Sequence, residues 1–155
     1  MNRITLILVS MLVLSGVVMA QDATSLRKSN YNLENGVAIQ GYDPVAYFTQ
    51  HKAIKGNKNL AVFVDGITYY FVSEADKNAF KENPGRYEPE YGGWCAYAMG
   101  AKGEKVSIDP ETFKLVDNKL YLFYNRFFNN TLKDWNKNES GLKAQADKNW
   151  KKLNH

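Results

Sequence analysis

"LAVFVDGITYYFV", residues 60–72, is the stretch whose reading decides the fold. Asp65-Gly66 is a favoured two-residue hairpin turn, because both central positions need positive φ. A loop of that length pairs Val64 with Ile67, Val62 with Tyr69 and Leu60 with Phe71. Facing residues share a side and alternate residues repeat it, so all six side chains fall on one apolar face. The flanking sequence supplies a cover. Ser73 caps a predicted helix in "EADKNAFKENPGRY", residues 74–87, with Asp76 three positions on, at the positive helix end. Phe80 is its expected buried anchor, and Pro84-Gly85 stops it.

Working outward, Asn35-Gly36 is a turn signal and "VAIQ", residues 37–40, a short strand candidate. Asp43-Pro44 reads as a helix start, with Asp as N-cap and Pro at the first helical position. Asp109-Pro110 reads the same way. In "TFKLVDNKLYLFYN", residues 112–125, Asp117-Asn118 serves as a second hairpin turn, and Phe113, Leu115, Leu120, Leu122 and Tyr124 share one face. Leu132, Trp135, Leu142, Ala146, Trp150 and Leu153 recur at helical spacing, with Gly141 placed to divide that segment. The expected class is α+β: two β-hairpins forming a small antiparallel sheet, packed with short helices and a C-terminal helical segment.

The first twenty residues carry the pattern of an export signal. Arg3 precedes the apolar run "ITLILVSMLVLSGVVMA", which ends in Val18-Met19-Ala20. An uncleaved anchor needs about 20 apolar residues, and this run is slightly short. Cleavage after Ala20 leaves a periplasmic or extracellular chain with no stable membrane span. The expected organisation is a signal at 1–20, a polar segment at 21–34 and one domain at 35–155. The net charge is +4. Its lysines are spread along the chain, which argues against nucleic acid.

The lone cysteine sits in "EYGGWCAYAMG", residues 90–100. Gly92 and Gly93 let the chain turn with positive φ or clear space beside a ligand. The rings of Tyr42, Tyr47, Trp94 and Tyr97 are candidates, with Gly92 and Gly93, for the wall of a pocket that takes a planar or sugar-like ligand. The bland alternative has these rings packing hairpins against helices. Cys95 and Met99 lie four apart and share a face if the segment is helical. A thiolate with a thioether suits Cu(I), and His51 is the internal histidine available as a third ligand. A thiol nucleophile at Cys95 would need a base, and neither His51 nor His155 lies in a recognisable catalytic setting. Packing is the simplest role for Cys95 and Met99, since both are common core fillers.

"GYDPVAYF" followed by "GITYYFVSEADKNAFKENPGRY" resembles the YHS domain family. Asp43, Pro44, Val45, Gly66, Tyr69, Phe71, Ser73, Phe80, Asn83, Pro84 and Tyr87 fit its pattern, over about a third of the chain after the signal. The continuation through "YGGWCAYAMG" and "DPETFKLVDNKLYLFYN" looks like the branch of small exported YHS proteins. The resemblance implies an α+β domain. In the cysteine-bearing branches it also implies three metal-binding thiols, at positions that match Ala46, Val72 and Asp76 here. Methyl and isopropyl groups cannot ligate a metal, and one carboxylate does not replace a thiolate cluster. The expectation is therefore a non-enzymatic ligand-binding or accessory module with a site near Gly92-Gly93-Trp94-Cys95. A copper-type protein and a thiol-dependent enzyme are the alternatives.

Overall fold

The computed structural model describes residues 23–153; the export-signal pattern and His155 lie outside them. Residues 23–30 form α1, within what the sequence reads as a polar segment. Strands β1 (Leu33–Glu34) and β2 (Val37–Ala38) come next, joined by Asn35-Gly36 with positive φ at both positions. A short helix, α2 (Ala46–Thr49), leads through the polar connector to β3 (Asn57–Val64) and β4 (Ile67–Phe71). Helices α3 (Glu74–Glu82), α4 (Pro84–Tyr87) and α5 (Ala96–Lys102) occupy the middle of the chain. Then come β5 (Asp109–Val116), β6 (Lys119–Phe123), and the small hairpin β7 (Asn125–Arg126) and β8 (Asn129–Asn130). The chain closes with α6 (Thr131–Lys137) and α7 (Glu139–Leu153). Among the described residues no helix is long and apolar enough to cross a membrane.

The α+β class is as the sequence implies, with a different sheet plan. The hairpins do not join in one antiparallel sheet. The main sheet is four-stranded and mixed, in the order β1-β2-β4-β3, with β2 parallel to β4; β5-β6 and β7-β8 are separate pairs. The first hairpin keeps its expected register from Val64↔Ile67 to Val62↔Tyr69. Beyond Ala61↔Tyr70 a bulge shifts it, so Phe71 faces Asn57 rather than Leu60. The apolar face survives the shift: Ile67, Tyr69 and Phe71 are fully buried, and Leu60, Val62 and Val64 pack against them. The second hairpin pairs Leu115 with Leu120 and Phe113 with Leu122, as expected.

Local chemistry explains the helix ends. The Ser73 hydroxyl accepts from the Asp76 N–H at 3.1 Å and starts α3. Phe80 is buried, with its ring centroid 4.6 Å from Tyr69 and 5.2 Å from Phe71. Pro84 both ends that helix and opens α4 at its first position. Two expectations are corrected. Asp109-Pro110 opens a strand, because the Asp109 carboxylate accepts from the Glu111 N–H and the Thr112 hydroxyl, each at 3.0 Å, and so forms an Asx turn. The C-terminal helices divide at Asn138, and Gly141 lies inside α7.

Two packing clusters result. One holds the main sheet, α3 and Tyr47; the other holds Tyr91, Met99, Tyr121, Phe123 and Trp135 beneath α7. The helices α5 and α7 cross where Gly100 meets Leu142. A β-carbon on Gly100 would lie 2.5 Å from the Leu142 carbonyl oxygen. Asp43 is buried and ties α2 to the sheet. One carboxylate oxygen accepts from the Val45 and Ala46 N–H groups at 2.8 and 3.2 Å, and the other accepts from the Val72 N–H at 2.8 Å. Burial pushes this carboxyl up to about 6, aided by the nearby Asp76 and opposed by the three backbone donors.

Gly100→Ala must push two helix backbones apart, and urea unfolding should show a loss of about 1–3 kcal/mol. For Asp43 the folded value lies above the ordinary one, so its contribution to stability is full below about pH 4 and lost as the pH rises through about 6. Carboxyl NMR should give a midpoint near 6, lowered in Asp76→Asn; a midpoint near the ordinary Asp value would refute the assignment.

Candidate functional site

The turn Glu90–Gly93 is where the sequence placed the site, and its backbone is unusual. Tyr91, Gly92 and Gly93 have φ of 54°, 60° and 80°, three left-handed residues in a row. A β-carbon on Gly92 would meet Trp150 at 3.0 Å, the Asn30 carbonyl at 3.1 Å and the Tyr31 Cα at 3.2 Å. Both readings of the glycine hold here: left-handed geometry and close backbone approach. The approach is fastened by hydrogen bonds. Asn32 N–H donates to the Gly92 carbonyl at 2.8 Å, and the Asn32 side-chain amide donates to the Gly93 carbonyl at 3.0 Å. Trp94 Nε1–H donates to the Asn30 carbonyl at 2.6 Å.

This zipper closes one side of a cleft of about 460 Å³ between α1, the turn and Trp150 of α7. Its aromatic wall is Tyr31, Tyr91 and Trp150, with the Tyr91 and Trp150 centroids 6.3 Å apart, near edge-on. Its polar wall is Arg27, Asn30, Glu88 and Glu90. Arg27 forms an ion pair with Glu88 and lies 4.6 Å over the Tyr31 ring. Glu88 also accepts from the Tyr69 hydroxyl at 2.8 Å and the Tyr31 hydroxyl at 3.1 Å. Arg27 Nε–H is buried with no partner among the described residues. Glu90 is paired with Lys119 at 3.1 Å.

The charges are therefore balanced pair by pair. Burial, then the Glu88 carboxylate, hold the Tyr31 and Tyr69 hydroxyls protonated far above their ordinary range. Burial and the hydrogen bond to Asp147 do the same for Tyr91. Burial works against the Arg27 charge, but Tyr31, Glu88 and Tyr69 outweigh it and raise its value. The cleft thus presents fixed donors and acceptors beside ring faces, with Arg27 paired to Glu88 inside it and Glu90 paired to Lys119 outside its lining.

The four aromatic candidates lie in three different surroundings. Tyr47 is fully buried, donates to the Pro110 carbonyl at 2.8 Å and meets the Phe113 ring at 4.8 Å. Tyr42 is nearby, donates to Glu111 at 3.2 Å and carries Lys55 over its ring. Trp94 is spent on the Asn30 zipper. Tyr97 lines a second, smaller cleft of about 280 Å³ with Cys95, Val106 and Tyr124. Arg27, Tyr31, Glu88 and Trp150 do not stand out in the sequence as site residues. The available signal was Arg27 and Tyr31 at helical spacing, in a segment read only as polar.

The two sulfur-bearing side chains pack in different clusters. Cys95 belongs to the first packing cluster and Met99 to the second, and His51 is exposed on the connector. The Thr131 hydroxyl donates to the Tyr124 carbonyl at 2.9 Å, leaving its oxygen free to accept from the Cys95 thiol at 3.4 Å. The Tyr124 N–H in turn donates to the sulfur at 3.3 Å. Among the described residues no group of three or more His, Cys, Asp and Glu side chains is placed to hold a metal ion.

Gly92→Ala should lose about 2 kcal/mol or more, about 1–2 of it from left-handed backbone and the rest from contacts with Trp150 and Asn30. Thermal unfolding checks it; an unchanged midpoint would mean that α1 does not seal the cleft. Compared with known families, with curated proteins and with solved structures, the chain gives no match.

Proposed function

We propose that this chain is an exported, non-enzymatic binding or accessory module of the YHS type, and that its ligand site is the cleft beside Gly92. The observation that carries the site is the conjunction of an aromatic wall with a charge-balanced polar wall in one cavity of about 460 Å³. Small-molecule sites commonly have volumes of about 300–1,000 Å³ and combine apolar faces with a few fixed polar groups. Arg27 lines the cleft, and its Nε–H has no partner among the described residues. Paired charges favour a neutral ligand with a flat or ring-like face and hydroxyl or carbonyl groups, such as a sugar or a planar heterocycle.

The YHS part of the reading has its own support. Ala46, Val72 and Asp76, the positions that match the family's thiols, gather around one carboxylate. Ala46 and Val72 donate their N–H groups to Asp43, and Asp76 is close enough to raise its titration. In this chain Asp43 is held there by backbone donors.

Native mass spectrometry of the protein recovered from its own host is the test. Wild type should carry a small neutral molecule that Trp150→Phe retains weakly and Trp150→Ala loses. Circular dichroism would confirm that both variants fold. A protein that carries nothing, or a passenger unaffected in Trp150→Ala, would overturn the site.

A further inference from the structure

The hairpin β7-β8 ends in two residues, Phe127 and Phe128, since Arg126 faces Asn129 directly. Both have positive φ, 51° and 65°. This is the geometry that Asn-Gly satisfies best and that bulky side chains adopt only with strain. Both rings stand in solvent, at 89% and 111% relative exposure. Among the described residues they pack on nothing, so neither the strain nor the exposure is compensated there. The base of the hairpin, by contrast, is anchored. Thr131 N–H donates to the Tyr124 carbonyl at 3.0 Å, and the Asn125 amide donates to the Thr112 hydroxyl at 3.0 Å.

We propose that this tip is a docking element for an anionic lipid surface. Two features select that occupant. Two phenylalanine rings offer about 150–250 Å² each. That falls short of the ~800 Å² per partner of a stable protein interface. The residues around them, Asn125, Arg126, Asn129 and Asn130, are polar and add no apolar face. A lipid interface needs only a few inserted rings with cations beside them. The cations are present: Arg126 and Lys133 lie on either side of the tip in sequence, with no Asp or Glu between them. Arg126 is exposed directly before the tip, and Lys133 is exposed in the first turn of α6. The anchored base presents the rings at a fixed angle, and no spanning helix is required.

The test compares the full chain with its Phe127→Asn/Phe128→Gly variant in vesicles of phosphatidylglycerol and phosphatidylethanolamine. The substitutions place favoured residues in the turn, so the variant should fold and melt no lower than wild type. Both proteins share every residue outside the tip, so any contribution from the N-terminal run cancels in the ratio of their partition coefficients. That ratio should be about tenfold or more in favour of wild type, and should shrink in Arg126→Gln. Equal partitioning overturns the proposal. So does a wild-type dimer that the variant loses while its vesicle partition is unchanged, which would make the tip a protein contact.

Discussion

Three consecutive left-handed residues, Tyr91, Gly92 and Gly93, are the constraint on which much of this structure rests. They turn the chain sharply enough to bring its carbonyls against residues 30–32. That contact fixes the end of α1, and α1 and the residue after it supply Arg27 and Tyr31 to the cleft. The same turn aims Tyr91 into the second packing cluster, where its hydroxyl meets Asp147 of α7. One local backbone choice thus joins the N-terminal helix, the C-terminal helix and the site between them. The Arg27–Glu88 pair adds charge-assisted bonding across that junction, in a setting half-shielded from water.

A separate polar centre lies at Asp43, buried between α2 and the end of β4. Asp43 sits where α2 and the end of β4 would otherwise present three unpaired N–H groups. Leaving such donors buried and unpaired costs more than making the bond gains. A carboxylate accepts all three at once, which an amide cannot do because only one of its atoms accepts. Its raised titration reflects competition between those donors and burial beside a second acid. The cleft near Gly92 is organised differently: Arg27 pairs with Glu88 and Glu90 with Lys119, and its tyrosine hydroxyls stay neutral.

Much of the fold was legible in local pattern. Asp65-Gly66 and Asp117-Asn118 announced their hairpins because tight turns admit few residues, and Ser73 announced α3 because a short side chain with an oxygen acceptor reaches the N–H three residues on. The joining of β2 to β4 in parallel was not legible, since no short-range rule sets which edges meet. Asp109-Pro110 misled because the same dipeptide serves an N-cap and an Asx turn, and tertiary pairing of residues 111–116 with β6 decides between them. At the site, the glycines were legible and their neighbours were not. Arg27, Glu88 and Trp150 are far apart in sequence and acquire meaning only when the turn brings them together. Tyr42 and Tyr47 were plausible by residue type, yet their hydroxyls point to the start of β5.

Cys95 has a consequence of its own. Its sulfur is wholly buried and engaged with Tyr124 and Thr131, the two residues that close the base of the β7-β8 hairpin. An external thiol reagent can reach it only when the packing around it opens, at the hairpin base or along the smaller cleft that it lines. In a chain with a single cysteine, the rate of modification is thus an intrinsic clock for local opening around this residue, unmixed with signals from other thiols. Natural chemistry gives a reporter at the foot of the hairpin whose aromatic tip stands farthest into solvent.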